Sequence, residues 1–214
     1  MEYIFNLPEA AFVNKFIAKS KFYEKATLST RLQNEFINKI QRITWKYKLA
    51  ESTIGISKTE AVTEIQIFEI ELKEQTIPKN VLKVIDKSIP YRILYLFSYK
   101  TDFAFGIILK DETYKENYYF SDWNEDKQFD FTGIDLETVY RNLIKTFIKI
   151  EPQQNAEFNE IIEFDSQVKA LKTDIKTLQN KIKKEKQFNR KVDMNKILLE
   201  KKNQLELMNI KKSM

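Results

Sequence analysis

The chain has 214 residues, 43% hydrophobic and 13% aromatic, enough for one domain plus an appendage or for two small domains. It contains no Cys and no His, which removes disulfides, thiolate chemistry, Cys/His zinc sites and every mechanism built on a histidine base. The formal net charge is +5, and 3 Gly and 4 Pro against 16 Phe and 10 Tyr favour regular elements over long loops.

No apolar run approaches the roughly 18 residues of a membrane span, and the N-terminus lacks a signal-peptide pattern, so a cytoplasmic protein without a membrane partner is expected. Gly55, Gly106 and Gly133 are isolated, so there is no Gly-rich loop to cradle a phosphate. Any reaction falls to carboxylates, Lys, Tyr, Ser or Thr.

In chain order, residues 8–25 read as a helix, with Pro8 in the first turn and Phe12, Val13, Phe16 and Ile17 as its stripe. Ser29 or Thr27 caps a second helix whose stripe is Leu32, Phe36, Ile40, Ile43 and Tyr47, flanked by Trp45. Thr53–Ser57 is a short candidate strand. Glu64–Lys73 is a stronger one, with Ile65 and Ile67 on one parity and Phe68, Ile70 and Leu72 on the other. It is either buried on both faces or bulged at Ile67–Phe68. Pro78 opens a helix with Val81, Leu82, Val84 and Ile85 inward, and Pro90 ends it.

Tyr91–Tyr99 is a near-continuous apolar strand, hence central, and forms a hairpin with Phe103–Leu109. After the polar loop Lys110–Glu116, Asn117–Phe120 is a third strand, and Phe129–Phe131 a short edge strand. Asp135 is a good N-cap for Leu136–Lys149. Pro152 and Gln153–Asn155 make the linker. The order predicts an α+β domain over residues 1–151, a mostly antiparallel sheet flanked by helices.

Residues 156–212 read as a coiled-coil helical arm. Ile161, Phe164, Val168, Leu171, Ile175, Leu178 and Ile182 follow heptad steps, and the register then fails near Glu185–Lys191. A new set, Met194, Leu198, Leu205 and Met208, predicts a second helix folded back as a hairpin. The arm also concentrates charge: Lys169–Lys202 carries 12 Lys/Arg and 4 Asp/Glu, while the remainder carries 24 and 27. Such asymmetry suits a polyanion or an acidic protein surface, or else a solvated Lys-rich helix pair.

Five stretches carry a resemblance: Lys21-Phe-Tyr-Glu-Lys, Trp45-Lys-Tyr-Lys-Leu, Glu64-Ile-Gln-Ile-Phe-Glu-Ile, Phe120-Ser-Asp-Trp and Lys184-Glu-Lys-Gln-Phe-Asn-Arg-Lys. With the C-terminal coil, they resemble a bacterial family of unknown function over nearly the whole chain. Its members are often encoded beside DNA methyltransferases and helicase-type restriction subunits, in restriction and phage-defence clusters. The resemblance implies a setting in DNA-directed defence and carries no catalytic residues.

Three constellations bear on function. Glu71-Leu72-Lys73 is a carboxylate–x–Lys on a strand, as in metal-dependent nucleases of the restriction-endonuclease type, where the carboxylate holds Mg²⁺ and the Lys positions water. Glu60 or Glu64 would supply the second acid, with Glu71 holding the metal, and Glu35 the helical one. Against this stands a solvent-facing row of charges. The second is the arm tip, Lys181, Lys183, Lys184, Lys186, Arg190 and Lys191 with Phe188, suited to phosphates and to stacking a base or anchoring a partner. Phe188 closing the hairpin core is the plainer use. The third is Tyr114, Tyr118, Tyr119, Phe120 and Trp123, a base-stacking platform or packing beneath the C-terminal helix.

The expected function is therefore a non-catalytic accessory subunit of a DNA-restriction or phage-defence system. It docks a protein partner such as a DNA methyltransferase or helicase subunit, and touches DNA, through the basic arm. A small Mg²⁺-dependent nuclease and a coiled-coil homodimer are the alternatives; the first reading needs no cofactor.

Overall fold

The structure, a computed structural model, describes residues 5–25, 28–110, 117–149 and 156–210. The chain divides into two compact units, Met1–Phe147 and Ile148–Met214. Among the described residues no helix is long and apolar enough to cross a membrane. Thr27, Tyr114, most of the Lys110–Glu116 loop and the linker at Pro152 and Gln153–Asn155 lie outside the described residues.

Unit one is built on a six-stranded sheet in sequential order: β1 (Phe12–Phe16), β2 (Ile40–Leu49), β3 (Ile65–Leu72), β4 (Arg92–Tyr99), β5 (Asp102–Leu109) and β6 (Asn117–Phe120). Every neighbouring pair is antiparallel except β3 and β4, which run parallel from Ile65↔Arg92 to Glu71↔Ser98. The expected mostly antiparallel α+β sheet is therefore present. Helices α1 (Ser20–Lys25), α2 (Thr30–Lys39) and α4 (Lys79–Ser88) cover one face. Their Phe22, Phe36, Val81, Leu82 and Ile85 pack on Ile43, Phe68, Ile70, Tyr95 and Phe97. Alternation turns Ile65, Ile67, Leu94, Leu96 and Phe105 to the other face. There Phe5, Phe129 and Phe147 join Phe105 in a ring cluster, Phe105 and Phe129 meeting edge-on at 4.9 Å. Helix α5 (Leu136–Lys145) packs against β5 and buries Leu136, Val139, Leu143 and Ile144.

Two predicted caps form. Ser29 Oγ accepts the Leu32 N–H at 3.4 Å, and Asp135 Oδ1 accepts the Thr138 N–H at 2.7 Å. Asp135 consequently sits below its usual carboxyl range, chiefly through that backbone bond. The predicted strand at Glu64–Lys73 is β3, buried on both faces as the first alternative had it. The bulge lies on its partner, where Lys46 is the extra residue between Trp45↔Phe68 and Tyr47↔Ile67.

Four local expectations are corrected. Residues 12–16 are not helical: after a short 3₁₀ turn (Glu9–Ala11) they pair with β2, because a sheet edge offers more hydrogen bonds than a short isolated helix retains. The second helix stops at Lys39, and Ile40–Leu49 is strand; Ile43, read as a helical stripe residue, faces Phe68 and Ile70 across the sheet instead. Glu51–Ile54 is one helical turn, α3, ended by Gly55 at φ +70°, and Ser57 makes only an isolated bridge to Asp135. Phe129–Phe131 forms no strand; its rings fill the aromatic cluster, which asks nothing of the backbone ladder.

Unit two contains α6 (Phe158–Lys184) and α7 (Phe188–Ile210), packed together as a helical hairpin that breaks where the heptad register fails. Glu185 is extended, and its Oε1 accepts the N–H groups of Lys186 and Gln187, each at 2.8 Å. These bonds hold its carboxyl below the usual range, that from Gln187 first. Val168, Leu171, Ile175 and Ile182 are buried, and Met194, Leu198, Leu205 and Met208 are half-buried. The slot between Leu198 and Leu205 belongs to Lys201, whose ammonium meets Asp174 Oδ2 on α6 at 2.7 Å.

Gly106 lies close against two rings: a Cβ there would lie 2.8 Å from the Phe120 ring and 2.9 Å from the Phe97 ring. Gly106→Ala is expected to lower the unfolding free energy by about 1–3 kcal/mol in urea titrations. Unchanged stability would show that the two rings yield freely. Lys201→Leu completes the apolar seam and is expected to raise the hairpin's stability by about 1 kcal/mol. A loss would mark the Lys201–Asp174 pair as a net contributor.

Candidate nucleic-acid interface

The hairpin turn gathers the cations that the sequence singled out. Lys181, Lys183 and Lys184 close the last turn of α6, Lys186 lies in the break, and Arg190 and Lys191 sit in the first turn of α7. All six are exposed. Phe188 is 77% exposed, so it does not close the hairpin core. An aromatic ring left in water forgoes the burial that would stabilise it in the isolated chain. It suits a surface that contacts phosphates through charge and a base or partner side chain through stacking. Helix α7 also shows a second apolar line, Phe188, Val192 and Leu199, on the side away from its α6-facing seam.

The acidic residues behave differently. Glu71 is exposed at the end of β3, and Glu64, just before β3, is buried and paired with Lys48 at 3.1 Å. They stand seven positions apart on extended chain, about 23 Å, whereas two ligands of one cation must both reach it. Glu35 lies on α2, where it accepts a hydrogen bond from Asn80 at 3.4 Å. That helix covers the Phe68–Ile70–Leu72 side of β3, and Glu71 points to the opposite side. Glu60 is exposed in the connection before β3. Lys73 stands near another cation: after burial, its charge helps hold the Lys19 ammonium below the ordinary lysine range.

Glu71 does line a cleft of about 260 Å³ with Asn14, Arg42, Thr44, Lys46 and Glu69. Here Glu69 is paired with Lys46 at 3.4 Å, and the Arg42 guanidinium, facing Glu71 across the strands, lies 5.7 Å from the centre of the Phe16 ring. Cations thus occupy the places where the nuclease reading needs further acids. Among the described residues no group of three Asp or Glu is placed to hold a metal ion.

A family model described as a domain of unknown function (DUF4391) matches residues 5–205. The chain belongs to that family. No curated protein and no solved structure matches it. The match runs through both units of this DUF4391 chain, from Phe5 before β1 to Leu205 on α7.

Two further clusters of the DUF4391 sheet are structural. Tyr118, Phe120 and Trp123 pack on the core under α1, α2 and α4, with Tyr118 and Phe120 stacked at 5.9 Å, and Tyr119 is buried. Their faces are used within the fold and do not form a stacking platform. The second cluster was missed in the sequence. Asp86, buried on the inner side of α4, accepts from Tyr95 at 2.9 Å and from the Tyr118 hydroxyl, and pairs with Lys110 at 3.7 Å. Lys110 also donates to the carbonyls of Asp86, Ile89 and Tyr91. The one signal was an acid breaking the apolar stripe of α4, since neither tyrosine nor the lysine is near it in sequence.

Burial, and then the charge of Asp86, push the Tyr95 hydroxyl well above its usual range. A folded pKa raised above the unfolded value gives stability that is complete below the unfolded pKa and lost as pH climbs past it. Unfolding free energy should therefore fall as pH rises above about 10, and Tyr95→Phe should flatten that fall while lowering stability at neutral pH. Equal alkaline slopes for the two proteins would remove Tyr95 from the linkage.

Proposed function

We propose that the protein is a non-catalytic interaction subunit that binds nucleic acid through the α6–α7 turn and docks an enzyme partner of a DNA-restriction or defence system. One observation carries the reading: six exposed cations and an exposed Phe188 fall within eleven residues, Lys181 to Lys191, at the turn of a helical hairpin. The cations neutralise phosphates and release counterions whatever the sequence, and the ring stacks on a base that is free of its partner. Docking rests on the second apolar line of α7, whose Phe188, Val192 and Leu199 offer one helix face to a partner helix. The partner class, a DNA methyltransferase or helicase subunit, follows from the gene neighbourhood that the family resemblance implies.

Lys183→Glu, Lys184→Glu and Arg190→Glu together should weaken binding of a labelled single-stranded oligonucleotide. They should also make the dependence of log affinity on log salt shallower by about 2, since each lost phosphate contact on a single strand removes about 0.7. Phe188→Ala should cost about 1–3 kcal/mol of single-strand binding and leave thermal unfolding unchanged. Affinity indifferent to salt in the wild type would sink the phosphate contact. Co-purification with the product of an adjacent methyltransferase or helicase gene tests the docking half. A dimer by light scattering, lost on Val192→Lys or Leu199→Lys, would assign that face to a second copy instead.

A further inference from the structure

Several lysines of unit one are paired with acids: Lys39 with Glu74, Lys46 with Glu69, Lys48 with Glu64 and Lys127 with Glu125, all at 3.4 Å or less. The outer side of α4 differs. Lys79, Lys83 and Lys87 recur every fourth residue and all three are exposed. Such a row places a cation about every 6 Å along the helix axis. Beside it runs a groove of about 320 Å³ between α4 and the start of α2. Lys83 and Lys87 form one bank and Arg31 the other, with Leu32 and Val84 between them. Among the described residues, Arg31, Lys83 and Lys87 make no ion pair. Glu35 also lines the groove, and Asn80 holds it by its hydrogen bond.

We propose that this groove tracks the phosphodiester backbone of one nucleic-acid strand, so that unit one carries a nucleic-acid contact of its own. The inference rests on the nucleic-acid reading of the hairpin turn for its choice of ligand. Lys83 and Lys87, about 6 Å apart along the helix, and Arg31 opposite them can meet successive phosphates of one strand, while Lys79 sits over the Phe120 ring at 5.4 Å and does not line the groove. Cations on both banks suit a single strand lying between them. Leu32 and Val84 give the groove floor no aromatic face, so backbone contact without base stacking is what it offers, and binding is indifferent to sequence.

The test uses the full chain and four proteins: wild type, the hairpin-turn triple described above, a groove triple (Arg31→Glu, Lys83→Glu, Lys87→Glu), and the two combined. The probe is a labelled single-stranded oligonucleotide across a salt series. Expected for the groove triple are an affinity loss of about tenfold or more at low salt and a slope shallower by about 2. Wild-type Lys83 and Lys87 should also be protected from acetylation by the oligonucleotide, a readout independent of any variant's folding. A groove triple that binds like wild type, together with wild-type Lys83 and Lys87 that stay open to acetylation under the oligonucleotide, overturns the groove alone. Loss in the groove triple with none in the turn triple supports the groove and removes the turn. No binding by wild type removes both. Protection of the two lysines by polyglutamate but not by the oligonucleotide overturns the proposal in favour of an acidic protein segment.

Discussion

The parallel pairing of β3 with β4 is the constraint on which unit one depends. Parallel neighbours cannot be joined by a tight turn, so the chain must leave the sheet, cross one face and return, and α4 is that crossing. The crossing buries Val81, Leu82, Val84 and Ile85 and covers Phe68, Ile70, Tyr95 and Phe97. With the ring cluster and α5 on the other side, β3 and β4 are enclosed on both faces, which is why Ile93–Phe97 are apolar without alternation. The same crossing carries Asp86 inward, and an acid placed there must be met by donors. Tyr95, Tyr118 and Lys110 meet it, tying α4 to β4, β6 and the end of β5.

Legibility in the sequence followed from how local each element's cause was. The caps at Ser29 and Asp135, the run of β4, and the hairpin break at Glu185 are set by neighbouring residues, and all three were readable. Strand β1 was not, because Phe12, Val13, Phe16 and Ile17 share a spacing with a helix stripe, and only the distant edge of β2 decides against it. The start of β2 was hidden for the same reason: the steps from Leu32 through Phe36, Ile40 and Ile43 continue unbroken across the helix–strand junction. Lys201 was missed because a lysine in an apolar seam is visible only once Asp174 is seen beside it.

The candidate sites divided along similar lines. The cations of the hairpin turn are close in sequence, so helix geometry alone keeps them together. Glu35 comes from a helix and Glu64 and Glu71 from opposite ends of one strand, so their assembly into one site required a geometry that an extended strand denies them. What the fold gathers is positive charge, once on the turn of unit two and once along α4, while Glu64, Glu69, Glu74 and Glu125 pair with lysines around the sheet.

Among the described residues strand β1 has no neighbour on its outer side, and it shows Phe12 and Phe16 to water. An edge of that kind ordinarily invites further chains to add on, copy after copy. Asn14 stands in its middle at φ +47°, and the pairing with β2 slips by one residue between Phe12 and Lys15. The slip twists the strand and throws its free amides and carbonyls out of step with any straight newcomer. The fold thereby carries its own brake on fibre growth along an edge whose exposed rings would otherwise promote it.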